Sequence, residues 1–309
     1  MKPQTFSGWV IKLQSGFYTV QSAEGVFVCS LRGRLKRTKV LGDFIAVGDN
    51  VEISRLSEGQ GVIEDIQPRK TVLARVAPTP RGNYQQVLLA NPDQVGLVFA
   101  CAQPEPHLRM LDRFLVITEK QNLPVFIVAN KVDLTGMDEA QRIFGVYPPL
   151  GYQVLYTCAR TGQGVSELET MLKGKITALA GPSGVGKSSL LNSIQPNLGA
   201  AVREVSESTG RGKHTTNVRE MFPLVEGGFV ADLPGLRSLA LWDTEPEELD
   251  GYFPELRDLV AACQFNDCTH RDEPGCAVRK AVQAGSVSPE RYESYLRLRY
   301  GEDNYSSSL

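Results

Sequence analysis

The residues best placed to do chemistry are Gly181-Pro182-Ser183-Gly184-Val185-Gly186-Lys187-Ser188, followed by Ser189. The spacing is GxxxxGK[ST], leaving an apolar strand-like run at 175–180 and entering a helix expected over 189–194. Glycines at these positions let the backbone turn successive N–H groups inward onto an anion. The N-terminus of the helix adds its positive end. Lys187 can reach the β- and γ-phosphates of a nucleoside triphosphate, and the Ser188 hydroxyl can hold Mg²⁺. This is a phosphate-binding loop.

Which base goes with the phosphates is a separate question. Asn130-Lys131-Val132-Asp133 follows a strand expected over 125–129. A carboxylate at Asp133 can accept from both N1–H and N2–H₂ of guanine, a donor pair that adenine lacks. Alone, the tetrapeptide equally describes a polar turn after a strand. Beside a phosphate-binding loop, it selects guanine and argues against an ATPase or a small-molecule kinase. Asp232-Leu233-Pro234-Gly235 follows another strand expected at 228–231. There Asp232 can hold Mg²⁺ through water, and Gly235 can offer its N–H to the γ-phosphate. Thr157-Cys158-Ala159-Arg160 resembles the Ser-Ala-Lys loop that GTPases lay against the base. Cys158 stands where serine is usual, so the Ala159 backbone N–H is expected to carry that contact. The order is rotated: the base-reading motifs at 130–133 and 157–160 precede the phosphate-binding loop. Such a circular permutation is tolerable because domain termini often lie close together. It also sends the segment after Asp232 directly into the C-terminal tail, which loss of a γ-phosphate could then move.

A third constellation has metal-ligand spacing. Cys263, Cys268, His270 and Cys276 read C-x₄-C-x-H-x₅-C. Three thiolates and one imidazole make a closed tetrahedral set, suited to a structural Zn²⁺ with no position left for water. Metal binding would substitute for the core that a short tail lacks. Cys29, Cys101 and Cys158 lie apart in apolar settings and read as buried thiols. His107 has no partner motif and reads as structural or exposed.

The elements that must position these groups form three sections. Residues 6–74 hold five short runs rich in Val, Ile, Phe and Tyr, separated by glycine-containing turns. They suit a small closed barrel of the OB type, with a three-strand sheet as the alternative. Within it, Arg32, Arg34, Lys36, Arg37 and Lys39 form an acid-free basic loop that could track an RNA backbone, or simply be solvated. Residues 75–90, containing Pro78, Pro80 and Gly82, read as a mobile linker. From 91 to 244, strands alternate with helices, which implies an α/β fold with a mostly parallel sheet. The tail, 245–309, reads as helical around the cysteine-rich loop. Arg291, Arg297 and Arg299 make its last helix partly basic, offering either a second RNA contact or a solvated face. With 309 residues, 42% hydrophobic and 22% charged, the composition is that of a globular protein, and a net charge of −2 leaves any nucleic-acid contact to local patches. No apolar run reaches bilayer length and no signal-peptide pattern opens the chain, so a cytosolic, non-membrane protein is expected, with a monomer as default.

Permuted GTPase motifs, the stretch Thr209-Gly210-Arg211-Gly212-Lys213-His214-Thr215-Thr216, an N-terminal barrel and a Cys/His tail together resemble the bacterial ribosome small-subunit-dependent GTPase A (RsgA) family. The resemblance covers essentially the whole chain. It implies GTP hydrolysis stimulated by the 30S ribosomal subunit during late maturation of that subunit, with 16S rRNA, GTP and GDP as partners. Many GTPases carry a water-orienting glutamine directly after Asp-x-x-Gly, but here that position is Leu236. His214 is the candidate substitute, alongside Lys187 as the other catalytic residue. The alternative is that His214 contacts rRNA or solvent. Thr215 or Thr216 would complete the Mg²⁺ site with Ser188 and Asp232. Two readings of function stay open: a ribosome-activated GTPase, or a GTP-gated rRNA-binding switch in which hydrolysis is incidental. A GTPase serving tRNA modification or membrane traffic lacks any supporting segment.

Overall fold

Period-2 alternation shapes the first section, and in the computed structural model it closes into a barrel. The structure describes residues 5–33, 35, 43–79, 82–202, 219–232 and 244–301. Strands β1 (Thr5–Gln14), β2 (Phe17–Ser22), β3 (Gly25–Leu31), β4 (Asn50–Ser57) and β5 (Gln60–Ile66) form the barrel. The pairings run β1–β2–β3–β5–β4, with β3 and β5 parallel, and β4 returns to β1 to close the ring. Closure removes the free sheet edges that five short strands would otherwise expose. Inward-facing Val10, Val20, Phe27, Cys29, Val51, Ile53 and Ile63 fill the interior. Of the basic loop, Arg32 is described: it is half-exposed and paired with Glu64 at 2.9 Å. Arg34, Lys36, Arg37 and Lys39 lie outside the described residues.

The segment expected to be a linker is an ordered hairpin. Strands β6 (Val72–Thr79) and β7 (Gly82–Ala90) pair antiparallel from Val72↔Ala90 to Thr79↔Gly82. The turn residues misled the sequence reading, because Pro78 and Gly82 mark the end of a ladder, where both are tolerated. Tertiary contacts hold it: the Gln121 amide accepts from Ala74 N–H at 2.8 Å, and the Asp43 carboxylate accepts from the Tyr84 hydroxyl at 2.6 Å and from Val87 N–H at 3.0 Å.

The second sheet comprises β8 (Gln94–Ala100), β9 (Val125–Asn130), β10 (Gln153–Thr157), β11 (Ile176–Ala180), β13 (Phe222–Pro223) and β14 (Phe229–Asp232). Its order is β10-β9-β8-β11-β14-β13, parallel except for β13. Helices α1 (Leu108–Lys120), α2 (Met137–Phe144), α3 (Val165–Leu172) and α4 (Lys187–Ile194) cover both faces. Alternation within the central strands explains this. Val95, Leu97, Phe99, Ile127 and Ala129 meet Leu111, Phe114 and Leu115 of α1 and Phe144 of α2. The intervening Val98, Ala100, Phe126 and Val128 meet Leu168 and Leu172 of α3 and Leu190 and Leu191 of α4. Every strand residue of β8 is buried, as expected for a parallel sheet sandwiched by helices. A short strand, β12 (Arg219–Glu220), leaves this unit and pairs with β1 of the barrel.

The tail contains a 3₁₀ turn at Pro246–Tyr252 and helices α5 (Pro254–Val260), α6 (Ala277–Gln283) and α7 (Pro289–Tyr300). Contrary to the expectation of a coreless appendage, it buries Leu249, Phe253, Leu256, Val278, Tyr295 and Leu298 together with Val116 of α1. The length of the segment hid this, because part of its core comes from a helix more than a hundred residues upstream.

Candidate nucleotide and metal sites

All four nucleotide motifs stand at the carboxyl edge of the parallel sheet. The phosphate-binding loop follows β11, Asn130 ends β9, Thr157 ends β10 and Asp232 ends β14. Strand order changes direction between β8 and β11, and a crevice at such a switch point is where open α/β sheets bind ligands.

Within the loop, Gly181 and Gly186 are the glycines that geometry requires. A Cβ on Gly181 would stand 2.0 Å from the Val98 carbonyl oxygen, and one on Gly186 would stand 2.4 Å from Asn130 Nδ2. Both also have positive φ, +151° and +96°. Val185 turns the other way and is buried against the α3/α4 face of the sheet, anchoring the loop. Lys187 begins α4, and its ammonium donates to the carbonyls of Gly181 at 2.9 Å and Pro182 at 3.2 Å. Ser188 and Ser189 occupy the first turn of the same helix, with Pro182, Ser183 and Gly184 in the loop ahead of it.

Asn130 and Lys131 reach across to this loop. Asn130 Nδ2 donates to the Val185 carbonyl at 2.8 Å, while its Oδ1 accepts from the Thr157 hydroxyl at 3.0 Å. One buried amide therefore binds three motifs together. Lys131 adopts a left-handed conformation (φ 64°), and its ammonium donates to the Gly184 carbonyl at 2.6 Å and to that of Gln103. Val132 is buried beneath the turn, and Asp133 faces outward. Asp133 Oδ1 accepts from the Cys158 thiol at 3.0 Å, and Oδ2 accepts from the Arg160 guanidinium at 2.8 Å. Those contacts, Cys158 first and Arg160 second, hold the Asp133 carboxyl below its ordinary range. The sequence reading gave Cys158 no hydrogen-bonding role; its place one residue past β10, paired in register with β9, was the signal. The carbonyl of Ala159 accepts from Ser193 of α4 at 3.2 Å, so the base-side loop is also tied to the phosphate-side helix. His214, Thr215, Thr216 and Gly235 lie outside the described residues.

The four proposed metal ligands converge. One donor atom from each of Cys263, Cys268, His270 and Cys276 lies within 4.8 Å of all the others. His270 Nδ1 stands 3.6 Å from Cys263 Sγ and 3.4 Å from Cys276 Sγ, spacings that fit ligands around one tetrahedral ion. The other ring nitrogen, Nε2, sits 3.2 Å from Asp250 Oδ2, a carboxylate that fixes ring orientation and leaves Nδ1 for the metal. Asp250 was not found from sequence because it lies outside the Cys/His spacing. Tyr292 donates to the His270 carbonyl at 2.6 Å, seating the loop on α7. Burial opposes ionisation of Glu273, but hydrogen bonds from the Thr269 side chain and backbone and from nearby N–H groups outweigh it and bring its pKa down to about 2. The Cys₃His set can therefore hold a metal ion.

Of the arginines expected to make α7 basic, Arg291 is committed to buried partners, and Arg297 and Arg299 make surface contacts within the tail. Arg291 is buried and paired with Asp112 and Glu255, both at 2.7 Å. Arg297 pairs with Glu293 at 2.7 Å, and Arg299 donates to the Pro246 carbonyl at 2.6 Å. Arg291 is a structural ion, not an RNA contact. His107 is exposed just ahead of α1.

The comparisons agree with this architecture. The model of the RsgA GTPase family matches residues 66–242, and that of the RsgA N-terminal domain matches residues 7–63. Curated relatives called small ribosomal subunit biogenesis GTPase RsgA include one from Gemmatimonas aurantiaca, 46% identical, covering 95% of this chain and 96% of the relative. Another, from Moorella thermoacetica, is 44% identical and covers 94% of each. Among solved structures, YjeQ from Thermotoga maritima superposes with a TM-score of 0.77 at 39% identity, covering 96% of this chain and 98% of that one. YloQ, described as a circularly permuted GTPase, superposes with a TM-score of 0.73 at 29% identity, covering 99% and 98%. A guanine-type motif bonded to a phosphate-binding loop that follows it in sequence, beside a closed barrel and a Cys₃His tail, places this chain in the RsgA family: it is a circularly permuted GTPase.

Proposed function

We propose that this GTPase binds the small ribosomal subunit and hydrolyses GTP in a 30S-stimulated manner during late 30S maturation. The observation that carries the reading is the bond from Asn130 to Val185, which joins the base-reading motif to the phosphate-binding loop in permuted order. The names of the curated relatives supply the ribosomal setting.

In this reading, Asp133 accepts from N1–H and N2–H₂ of guanine, and Ala159 lies beside the base. The 181–189 loop and Lys187 hold the phosphates and counter charge developing on the γ-phosphoryl. Ser188, Asp232 and Thr215 or Thr216 would hold Mg²⁺, which neutralises phosphate charge when bound. Gly235 offers its N–H to the γ-phosphate, and His214 orients the attacking water. Zn²⁺ is the ion that the Cys263, Cys268, His270 and Cys276 set fits, in a structural role. The barrel, through Arg32, Arg34, Lys36, Arg37 and Lys39, contacts 16S rRNA, with Arg32 exchanging Glu64 for phosphate. The protein works as a monomer in the cytoplasm; among the described residues, no helix is long and apolar enough to cross a membrane.

The test is GTP turnover by the purified protein, alone and with purified 30S subunits, with ATP as control. Strong stimulation by 30S without ATP hydrolysis is the expected result. Guanine-specific binding with flat turnover would favour a GTP-gated rRNA-binding switch instead. His214→Ala should greatly lower turnover and leave GTP affinity nearly intact; unchanged turnover would remove His214 from the mechanism.

A further inference from the structure

The chain leaving α4 turns back on the helix it has just completed. Gln195 N–H donates to the Leu191 carbonyl at 2.9 Å, and the Gln195 amide oxygen accepts from Val225 N–H at 3.0 Å. Asn197 then takes a left-handed conformation (φ 67°), and residues 198–202 are helical. Leu198 and Val202 are buried in the same core as Leu190 and Leu191 of α4. Between these two anchors, Gly199 crosses the first turn of α4. A Cβ on Gly199 would stand 1.9 Å from the Ser188 carbonyl oxygen, 2.6 Å from its carbonyl carbon and 2.9 Å from its Cα. The φ of Gly199 is not left-handed, so the requirement for glycine is one of space alone. Backbone meets backbone here, and no side chain can yield. Asn192 Oδ1 closes the contact by accepting from Gly199 N–H at 2.7 Å.

We propose that Gly199, with Asn192, is a positioning residue for Mg²⁺ binding: its missing side chain lets the returning chain fix the backbone of Ser188, and with it the hydroxyl that would hold the ion. This rests on the reading of Ser188 as an Mg²⁺ ligand. The Ser188 hydroxyl and the Asp232 carboxylate are hard oxygen donors of the kind Mg²⁺ takes. Strand pairing brings their segments to one edge, because Asp232 pairs with Leu179 of β11, the strand that leads into the phosphate-binding loop. Octahedral coordination of Mg²⁺ tolerates little displacement of a donor, and small misplacements at a reacting centre are costly. Retreat of the returning chain would open the core around Leu198 and Val202, so a Cβ at position 199 strains the first turn of α4. Neither residue touches nucleotide in this reading; both act through Ser188.

The experiment measures GDP binding by calorimetry across a magnesium titration that starts from magnesium-free buffer. It uses the full chain and Gly199→Ala, Asn192→Ala and Ser188→Ala variants, with thermal unfolding alongside. Gly199→Ala should raise the Mg²⁺ concentration that half-saturates the gain in GDP affinity about tenfold, with magnesium-free GDP affinity within about threefold of the parent. Asn192→Ala leaves the space open and removes one hydrogen bond, so it should raise that concentration about threefold. An unchanged Mg²⁺ requirement in both variants, or equal loss of affinity with and without Mg²⁺, would overturn the proposal. A glycine with a merely structural role lowers the unfolding temperature without singling out the ion. If Gly199→Ala fails to fold, the exposed Asn192 decides alone: a higher Mg²⁺ requirement in Asn192→Ala upholds the proposal and an unchanged one overturns it. Ser188→Ala tests the level beneath. Loss of the Mg²⁺ effect upholds Ser188 as a ligand, whatever Gly199 does, whereas a retained effect removes that reading and this proposal with it.

Discussion

The GTPase sheet carries an appendage at each end, and the two are joined to it by different physics. The barrel side is apolar and backbone-bonded. Ile11 and Val47 sink into the same core as Leu97 and Phe99, Leu13 pairs with Arg219 in a two-residue ladder, and Met221 N–H donates to the Ile11 carbonyl at 2.9 Å. Its charge pair, Lys12 with Glu220 at 2.8 Å, stays 30% and 17% exposed. The tail side is built around buried ions. Arg291 and Asp112 are 2% and 3% exposed, Glu255 takes the other edge of the guanidinium, and the Tyr147 hydroxyl donates to Asp112 at 2.9 Å. Phe253 lies 4.6 Å from the guanidinium carbon. A buried ion demands its partners, whereas the solvated charge pair on the barrel side adds little to the apolar contacts and the backbone ladder there.

The consequence concerns which appendage follows the nucleotide. Strand β12 begins three residues after Thr216, and the same stretch continues through β13 to β14 and Asp232. The barrel therefore shares a bonded backbone with the segment between the two proposed Mg²⁺-binding stretches. The tail follows Asp232 in sequence, as the permuted order requires, yet it docks on α1 through a closed charge network. Chain connectivity links the tail to the segment after Asp232, and the β12–β1 pairing links the barrel to the segment before it.

The two junctions differ most in their response to loss of Arg291. Arg291→Ala leaves Asp112 and Glu255 buried without their cation and should destabilise the tail junction by about 3–5 kcal/mol. Urea denaturation and limited proteolysis would read this as early loss of the tail; a cost below about 1 kcal/mol would mean that the network is solvated in practice. The next effect tests whether the tail's interior is separate from its junction. Asp250→Ala frees the His270 ring and should weaken metal binding roughly 10- to 100-fold in chelator competition. The Arg291 junction should survive it, and its loss along with the metal would merge the two sites into one. Smallest is the barrel side. Glu220→Lys should cost about 1 kcal/mol or less in thermal unfolding, because solvent already shares that pair and the ladder remains. A large loss there would show that the charge pair, not the backbone, holds the barrel.

Much of the candidate site can be read from the sequence alone. The 181–188 loop, Asn130 to Asp133, Asp232 and the Cys/His set are encoded by local spacing, and local spacing survives without knowledge of the fold. The strands of the barrel and of the parallel sheet were legible for the same reason, since side-chain alternation repeats every two residues. The hairpin at 72–90 was not, because Pro78 and Gly82 look alike in a loose linker and at the end of a ladder. The sequence marks Cys158 as a buried thiol but not its contact with Asp133, because that partner is 25 residues away.

What the sequence alone determined, then, is the inventory: which groups can hold phosphate, guanine and a metal, and in what permuted order they come. Tertiary structure decided which of those groups are free to act. Arg291 reads in sequence as an RNA contact or a solvated charge, and it is a buried structural ion through a partner 179 residues upstream. Asn130 became the bond between two motifs 55 residues apart. The physical reason is the same in both cases. A side chain's type states which bonds it can make, but only the packing of distant strands and helices states which partner removes it from water.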